Sequence, residues 1–301
     1  MKVLGIGESV IDEAKTDAVK AVSKHVGGPT PIALMLLSRL GIDCTLMTTL
    51  GRDANGEIIE RALAKENVQM IAQRQETTKV NTYIIGTDGS RKKIRGGTTH
   101  SDISDINRNW LQQFDLIIID RHEKKAFYEI LEKKKNSTKI VIDPSTEVSP
   151  LTLDMIQYAD YPIVPIEALA KIDEGRDLNR CLKKLYQVSK KPIIVTAGEL
   201  GSIIYDGTML EIIPALTIKA IDVQGAGDVY RGGFAYGILQ GWDSIKSATF
   251  ATIVAGLQCT KVGNASALPT KQEITDYQNR LAEEKMKEIH ESFFNNVKQY
   301  E

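Results

Sequence analysis

A chain of 301 residues suits about two small domains or one large α/β domain, and 42% hydrophobic with 26% charged residues excludes a disordered or fibrous chain. Basic residues number 38 and acidic ones 39, so no global field favours nucleic acid or an anionic membrane. Three scattered cysteines, Cys44, Cys181 and Cys259, form neither a disulfide framework nor a CxxC zinc pair, which fits a reducing cytosol.

The opening MKVLGIGESVIDEAK is apolar only briefly and is broken by Glu8 and Asp12. It reads as a first buried strand, Val3–Gly7, rather than a signal peptide or a membrane span. From there short apolar runs alternate with amphipathic stretches, the pattern of βαβ units and a largely parallel sheet. Strands are expected at Thr45–Thr49, Leu116–Asp120, Lys139–Asp143, Tyr161–Val164 and Ile193–Thr196. Helices are expected at Pro31–Leu40, Gly56–Asn67, Glu123–Lys135 and Leu178–Ser189.

Residues 12–26 and 79–95 lack helical periodicity, and the second stretch, with the turn Thr87-Asp88-Gly89-Ser90, reads as a β-hairpin. Together they suit a small sheet over one edge of the body, a lid. Beyond strands Ser202–Tyr205 and Met209–Ile213 come helices Val229–Gln240 and Ser244–Thr260. Residues 270–301 read as a charged helix whose Ala282, Met286, Ile289, Phe293 and Val297 form a stripe for the body or a second subunit.

The strongest local signal is Asp222-Val223-Gln224-Gly225-Ala226-Gly227-Asp228 ahead of a helix. Small residues at Gly225, Ala226 and Gly227 let backbone N–H groups converge, and the helix adds the positive end of its dipole, which makes an anion site. Asp228 then stands where a carboxylate can accept the proton of an attacking hydroxyl, the base role in phosphoryl transfer. Read alone, the stretch equally allows a tight loop in which Asp228 merely caps the helix.

Neighbouring blocks add context. The stretch resembles the C-terminal signature of the ribokinase family, the PfkB carbohydrate kinases, whose usual form is Asp-Thr-Thr-Gly-Ala-Gly-Asp. Gly27-Gly28-Pro29, Gly51-Arg52-Asp53-Ala54-Asn55-Gly56 and Thr196-Ala197-Gly198-Glu199-Leu200-Gly201 resemble further family blocks in the right order, and the likeness runs from about Val3 to Ile274. It implies one kinase domain over 1–301, a three-layer α/β/α sandwich with a mainly parallel central sheet and a small β lid.

By the same resemblance Asp228 is the catalytic base, and Gly225, Ala226 and Gly227 stabilise the transferred phosphoryl group. Asp12, Gly27 and Gly28 bind sugar hydroxyls, and Thr196, Gly198 and Gly201 line the ATP site, with Gly256 and Cys259 near the adenine. The family's metal-associated Asn-x-x-Glu survives only as Glu167, through which Mg²⁺ is reached. Lid strands that pair between subunits imply a homodimer, and the expected location is cytoplasmic.

Departures matter too. Ile32 replaces a sugar-binding Asn, and Val223 and Gln224 replace the two Thr, which weakens the case for a monovalent cation around Asp222. The stretches Ile119–Phe127 and Ala255–Thr260 resemble the ketohexokinase and sulfofructose kinase branch, which leans the substrate towards a ketose phosphorylated on a primary hydroxyl. Arg121, at a strand end, reads either as a substrate contact or as a surface arginine paired with Glu123 or Asp120, and Arg91 reads as a solvated strand charge rather than a lid residue closing on substrate. Cys259 reads as a small buried residue touching the adenine pocket.

Other classes fit less well. Gly5-Ile6-Gly7 lacks the third glycine of a dinucleotide fingerprint, Val10 standing there, and no Walker A motif occurs. The histidines, His25, His100, His122 and His290, show no metal-ligand spacing. A nucleoside kinase of the same family and a catalytically silent sugar- or nucleotide-binding relative are the alternatives to a sugar kinase.

Overall fold

The computed structural model describes residues 1–16, 19–85, 91–96, 103–146, 148–173 and 177–283. In chain order the elements are β1 (Lys2–Ile6), β2 (Val10–Thr16), β3 (Val19–Gly27), α1 (Pro29–Arg39), β4 (Asp43–Gly51), α2 (Ala54–Lys65), β5 (Gln69–Gln75), β6 (Lys79–Ile85), β7 (Arg91–Gly96), α3 (Arg108–Leu111) and β8 (Leu116–Asp120). They continue with α4 (Lys124–Lys133), β9 (Lys139–Asp143), α5 (Pro150–Tyr158), β10 (Tyr161–Pro165), α6 (Ile166–Leu169), α7 (Leu178–Ser189), β11 (Ile193–Thr196), β12 (Ser202–Tyr205), β13 (Leu210–Ile213), α8 (Ala226–Leu239) and α9 (Ser244–Cys259). Residues 271–283 are helical. The expected turn at 87–90 and four of the five stripe residues, Met286, Ile289, Phe293 and Val297, lie outside the described residues.

Consecutive apolar residues make parallel strands because neither face of such a sheet meets water. Side chains alternate across the pleat. Val3, Leu116, Ile118 and Val141 therefore pack to one side, with α1, α8 and α9. Leu4, Ile6, Ile117, Ile119, Ile140 and Ile142 pack to the other, with α4 and α5. The result is a three-layer α/β/α sandwich around a sheet of nine strands, ordered β13-β12-β11-β10-β9-β8-β1-β4-β5. It is parallel apart from β12 and β13 at one end.

β1 lies between β4, which the chain reaches first, and β8, which it reaches later. Strand order thus reverses at the β1/β8 boundary, and such switch points open a crevice at the C-terminal strand ends. The segments without helical periodicity form a separate four-stranded sheet, ordered β3-β2-β6-β7. There β2 runs antiparallel to β3 and parallel to β6.

Several boundaries differ from expectation for local reasons. α1 starts at Pro29, two residues early, because Gly28 takes the cap position and proline suits the first helical turn. α8 starts at Ala226, which draws Asp228 into its first turn. β5 is an addition to the expected strands, since its residues are mostly polar and none of them is buried, and it forms the outer edge of the large sheet. α5 is an addition to the expected helices, although Ser149 and Thr152 cap it reciprocally behind Pro150.

Candidate active site

The turn before α8 needs glycine at one position. Gly225 has φ +79°, and a Cβ there would lie 2.1 Å from Asn264 Oδ1, so both the left-handed backbone and the close approach exclude larger residues. The following N–H groups project outward, as at any helix start. A Cβ built on Gly227 meets nothing within 4 Å, and the same holds for Gly198, so both glycines border open space that a ligand can fill. Gly225 carries no side chain to cap the helix, and the carboxylate of Asp228 faces Arg231.

Two cavities meet at this turn. The first, of about 440 Å³, is lined by Asp12, Gly28, Arg121, Gly225 and Asp228 among the expected site residues. Glu8, Asn81, Asp120, Asp143, Gln224 and Asn264 add oxygen and amide groups suited to hydroxyl recognition. The second, of about 460 Å³, is mainly apolar and is lined by Gly198, Gly201, Leu216, Ile218, Ala226, Gly256 and Cys259. Val223 borders both.

Asp12 sits on β2 opposite Asn81 of β6. The residue is 7% exposed, and its carboxylate accepts hydrogen bonds from Asn81 Nδ2 at 3.1 Å and Gln224 Nε2 at 2.8 Å. The small sheet and the turn before α8 are thereby tied through one acid. Gly27 lines neither cavity and instead makes room for that carboxylate, since a Cβ on it would lie 2.4 Å from Asp12 Oδ2. Glu8 at the cavity wall is paired with Lys79 at 2.6 Å.

The floor of the first cavity is a group that sequence reading leaves unassigned. Arg231 is wholly buried, and its guanidinium faces Asp120 at 3.4 Å, Asp228 at 3.7 Å and Asp143, to which Nη2 donates. Asp120 and Asp143 close β8 and β9, and Thr30 donates to Asp120 at 2.7 Å. Burial alone would lower the affinity of Arg231 for its proton, but Asp143, Asp228 and Asp120 raise it. The available signal in the sequence is a basic residue set among apolar ones in α8.

Two of the carboxylates around this cation, Asp228 and Asp120, hold their protons more tightly than usual. Burial pushes Asp228 up to about 7 against the pull of Arg231, with Asp143, Asp120 and Asp12 adding to the rise. Its side chain keeps 22% exposure, toward the cavity. Burial likewise raises Asp120 to about 6, while Arg231 and Thr30 draw it down. A carboxylate titrating near neutrality inside a cleft has the properties of a general base.

The remaining expected residues divide. Cys259 lines the second cavity, and burial followed by the charge of Asp222 raises its thiol, as suits an inert packing residue. Gly256 packs on Leu216, where a Cβ would come within 2.7 Å. Thr196 closes β11 and Glu167 is exposed on α6; neither lines either cavity. No helix among the described residues is long and apolar enough to cross a membrane.

The described residues contain no cage of three or more His, Cys, Asp or Glu. The carboxylate oxygens of Asp120, Asp143 and Asp228 on the first cavity are of the hard type that Mg²⁺ takes beside phosphate oxygens and water. A monovalent cation near Asp222 does not fit. The carbonyl oxygens of Gln224 and Gly263, whose N–H groups donate to that acid, are already bridged by the side-chain amide of Gln258.

Comparison with known proteins identifies the family and the fold. Residues 3–271 match the family model described as pfkB family carbohydrate kinase, so the chain belongs to that family of sugar phosphotransferases. It is similar to a ribokinase of Lactococcus lactis, 28% identical over 245 residues, covering 77% of this chain and 78% of the relative. It is also 25% identical to the bifunctional protein HldE of Nitratiruptor over 94% of this chain, which spans 62% of that relative's length. Among solved structures, Arabidopsis thaliana ribokinase complexed with ribose and ATP superposes with a TM-score of 0.79 at 16% identity, covering 91% of this chain and 97% of that one. That likeness establishes the ribokinase-like fold.

Proposed function

We propose that the chain transfers the γ-phosphoryl group of ATP to a primary hydroxyl of a small sugar, with a ketose of fructose type as the preferred acceptor. The observation that carries this reading is the position of Asp228. It opens into the polar cavity while Ala226, two residues earlier, lines the apolar one. Sugar belongs in the first cavity against Asp12, Gly28 and Arg121, and adenine in the second against Gly256 and Cys259.

Asp228 takes the proton of the attacking hydroxyl, and the N–H groups following Gly225 receive the charge on the transferred group. Mg²⁺ would neutralise phosphate charge, and Glu167 would be the residue that helps hold it. Thr196 belongs to the nucleotide side of the site. The small sheet serves as the lid over the sugar. Its outer strands, β3 and β7, present pairing edges through which a homodimer forms.

ADP release measured across ketoses, aldoses and nucleosides tests the reading. A ketose preference supports it. A nucleoside as sole acceptor overturns the sugar assignment, and no ADP release with any acceptor favours a silent binding protein.

A further inference from the structure

One buried side chain braces the turn before α8 against the loop after α9. Gln258 stands in the last turn of α9 and is wholly buried. Its Nε2 donates to the carbonyl of Gln224 at 2.8 Å and to that of Gly263 at 3.1 Å. Both partners are acceptors only, so the amide orientation is unambiguous. Cys259 Sγ, 3.7 Å from Oε1, supports the same orientation from the other side.

The acid between these loops is engaged as well. Asp222 accepts the N–H of Gln224 at 3.0 Å and that of Gly263 at 3.0 Å. The N–H groups of Ile221 and Asp222 in turn donate to the Cys259 carbonyl at 2.8 and 3.2 Å. The carbonyl oxygens of Gln224 and Gly263 are hard-oxygen donors of the kind a cation bridges, while Asp222 holds the same two residues through their N–H groups. Here the two protons of an amide NH₂ occupy the bridging position.

The structure assigns to Gln258 the role that a monovalent cation would play at this place. Its amide holds the Gln224–Gly225 peptide, and through it the anion-binding turn, by a covalently tethered donor that is always present. Gln258 is thus a positioning residue, and turnover is independent of K⁺ and Na⁺. The statement about turnover rests on the kinase reading above; the statement about cation binding does not.

The test begins with the native chain. Sugar-dependent ADP release is compared in choline chloride, KCl and NaCl at equal ionic strength, and rates within about twofold are expected. Activation by K⁺ or Na⁺ of tenfold or more overturns the proposal. Thermal unfolding in the same salts reads cation binding without any activity, since a ligand of the folded state raises the midpoint by mass action. No salt-specific shift is expected for the native chain, and a K⁺-specific rise overturns the proposal even if no sugar is ever phosphorylated.

Gln258→Glu supplies the complementary arm. It sets a carboxylate against two carbonyl oxygens, a repulsive arrangement that a cation relieves. The expected result is a midpoint lowered in choline and raised again by K⁺ or Na⁺, with kcat recovering at least tenfold in the same titration while the KM for ATP moves less than threefold. A Gln258→Glu variant as stable and active in choline as the native chain overturns the assignment. If the variant does not fold in any salt, the two measurements on the native chain still decide.

Discussion

Arg231 Nη2 lies 3.7 Å from Asp228 Oδ1, one helical turn further along α8, and the same guanidinium faces Asp120 and Asp143. A single buried cation therefore opposes the rise in proton affinity that burial imposes on Asp228. Arg231→Met removes it and leaves three acids facing one another. Loss of about 3–5 kcal/mol of stability is expected from the uncompensated buried charges. Any folded fraction should have the acid limb of its kcat/KM profile displaced to higher pH, while Arg231→Lys restores part of both. Denaturant unfolding and pH–rate profiles of the two variants check this, and an unmoved acid limb would contradict the electrostatic role.

Asp228 itself is expected to act in the proton-transfer step. Asp228→Asn should lower kcat by roughly 10²–10⁴-fold, the usual contribution of a positioned base, with ATP affinity within a few-fold of native. In the native chain, kcat/KM for the sugar should rise with pH and level off above about 7, where the carboxylate is ionised. Steady-state kinetics and calorimetric ATP binding measure both, and an unchanged rate in the variant removes Asp228 from the mechanism.

The same carboxylate carries a stability signature of opposite sense. Its folded value, about 7, lies above the ordinary 3.8, so the folded state binds more protons than the unfolded one between those limits. The stabilising effect of its proton is fully present below about pH 4 and is lost as pH rises through 7. Asp228→Asn removes this dependence. The variant should gain stability relative to native from pH 4 to pH 8, by on the order of a few kcal/mol, and urea titrations at several pH values give the slope.

Gly227 separates binding from folding. A Cβ there meets no protein atom within 4 Å, and the residue lies in the first turn of α8 with ordinary helical backbone. Gly227→Ala should stabilise the chain by roughly 0.5–1 kcal/mol while weakening ATP binding and turnover, because the methyl group enters the space assigned to phosphate. Thermal unfolding together with ATP titration checks it; unchanged ATP affinity would place the phosphates elsewhere.

Asp12 joins the small sheet to the turn before α8 through Asn81 and Gln224. Asp12→Ala is expected to raise the KM for sugar by roughly tenfold or more, the loss of hydrogen bonds to a charged group, while leaving the KM for ATP nearly unchanged. An equal effect on both KM values would assign Asp12 to holding the turn rather than to the sugar.

Much of the body is legible in the residues because burial on both faces leaves no alternative to a continuous apolar run. Leu116–Asp120, Lys139–Asp143, Ile193–Thr196 and Ser202–Tyr205 form strands at the expected bounds, and Leu178–Ser189 forms its helix. β5 escapes for the converse reason. As an edge strand it is paired on one side only, so its sequence carries no buried run to read.

The residues alone place a small-residue turn at Gly225 and an acid at Asp228 at the start of a helix, because local rules of helix starts need no help from distant parts of the chain; they leave a cap and a base equally open. What surrounds the acid follows from the tertiary packing. Arg231 meets Asp120 and Asp143 from strands far earlier in the chain, and Gln258 meets Gln224 and Gly263 across two loops. Such partners share no spacing in sequence, because the sheet's strand order and the packing of α8 on α9 bring them together. The balanced charge of 38 basic against 39 acidic residues is consistent with this design: the carboxylates that matter are answered locally, by one buried arginine and by backbone N–H groups.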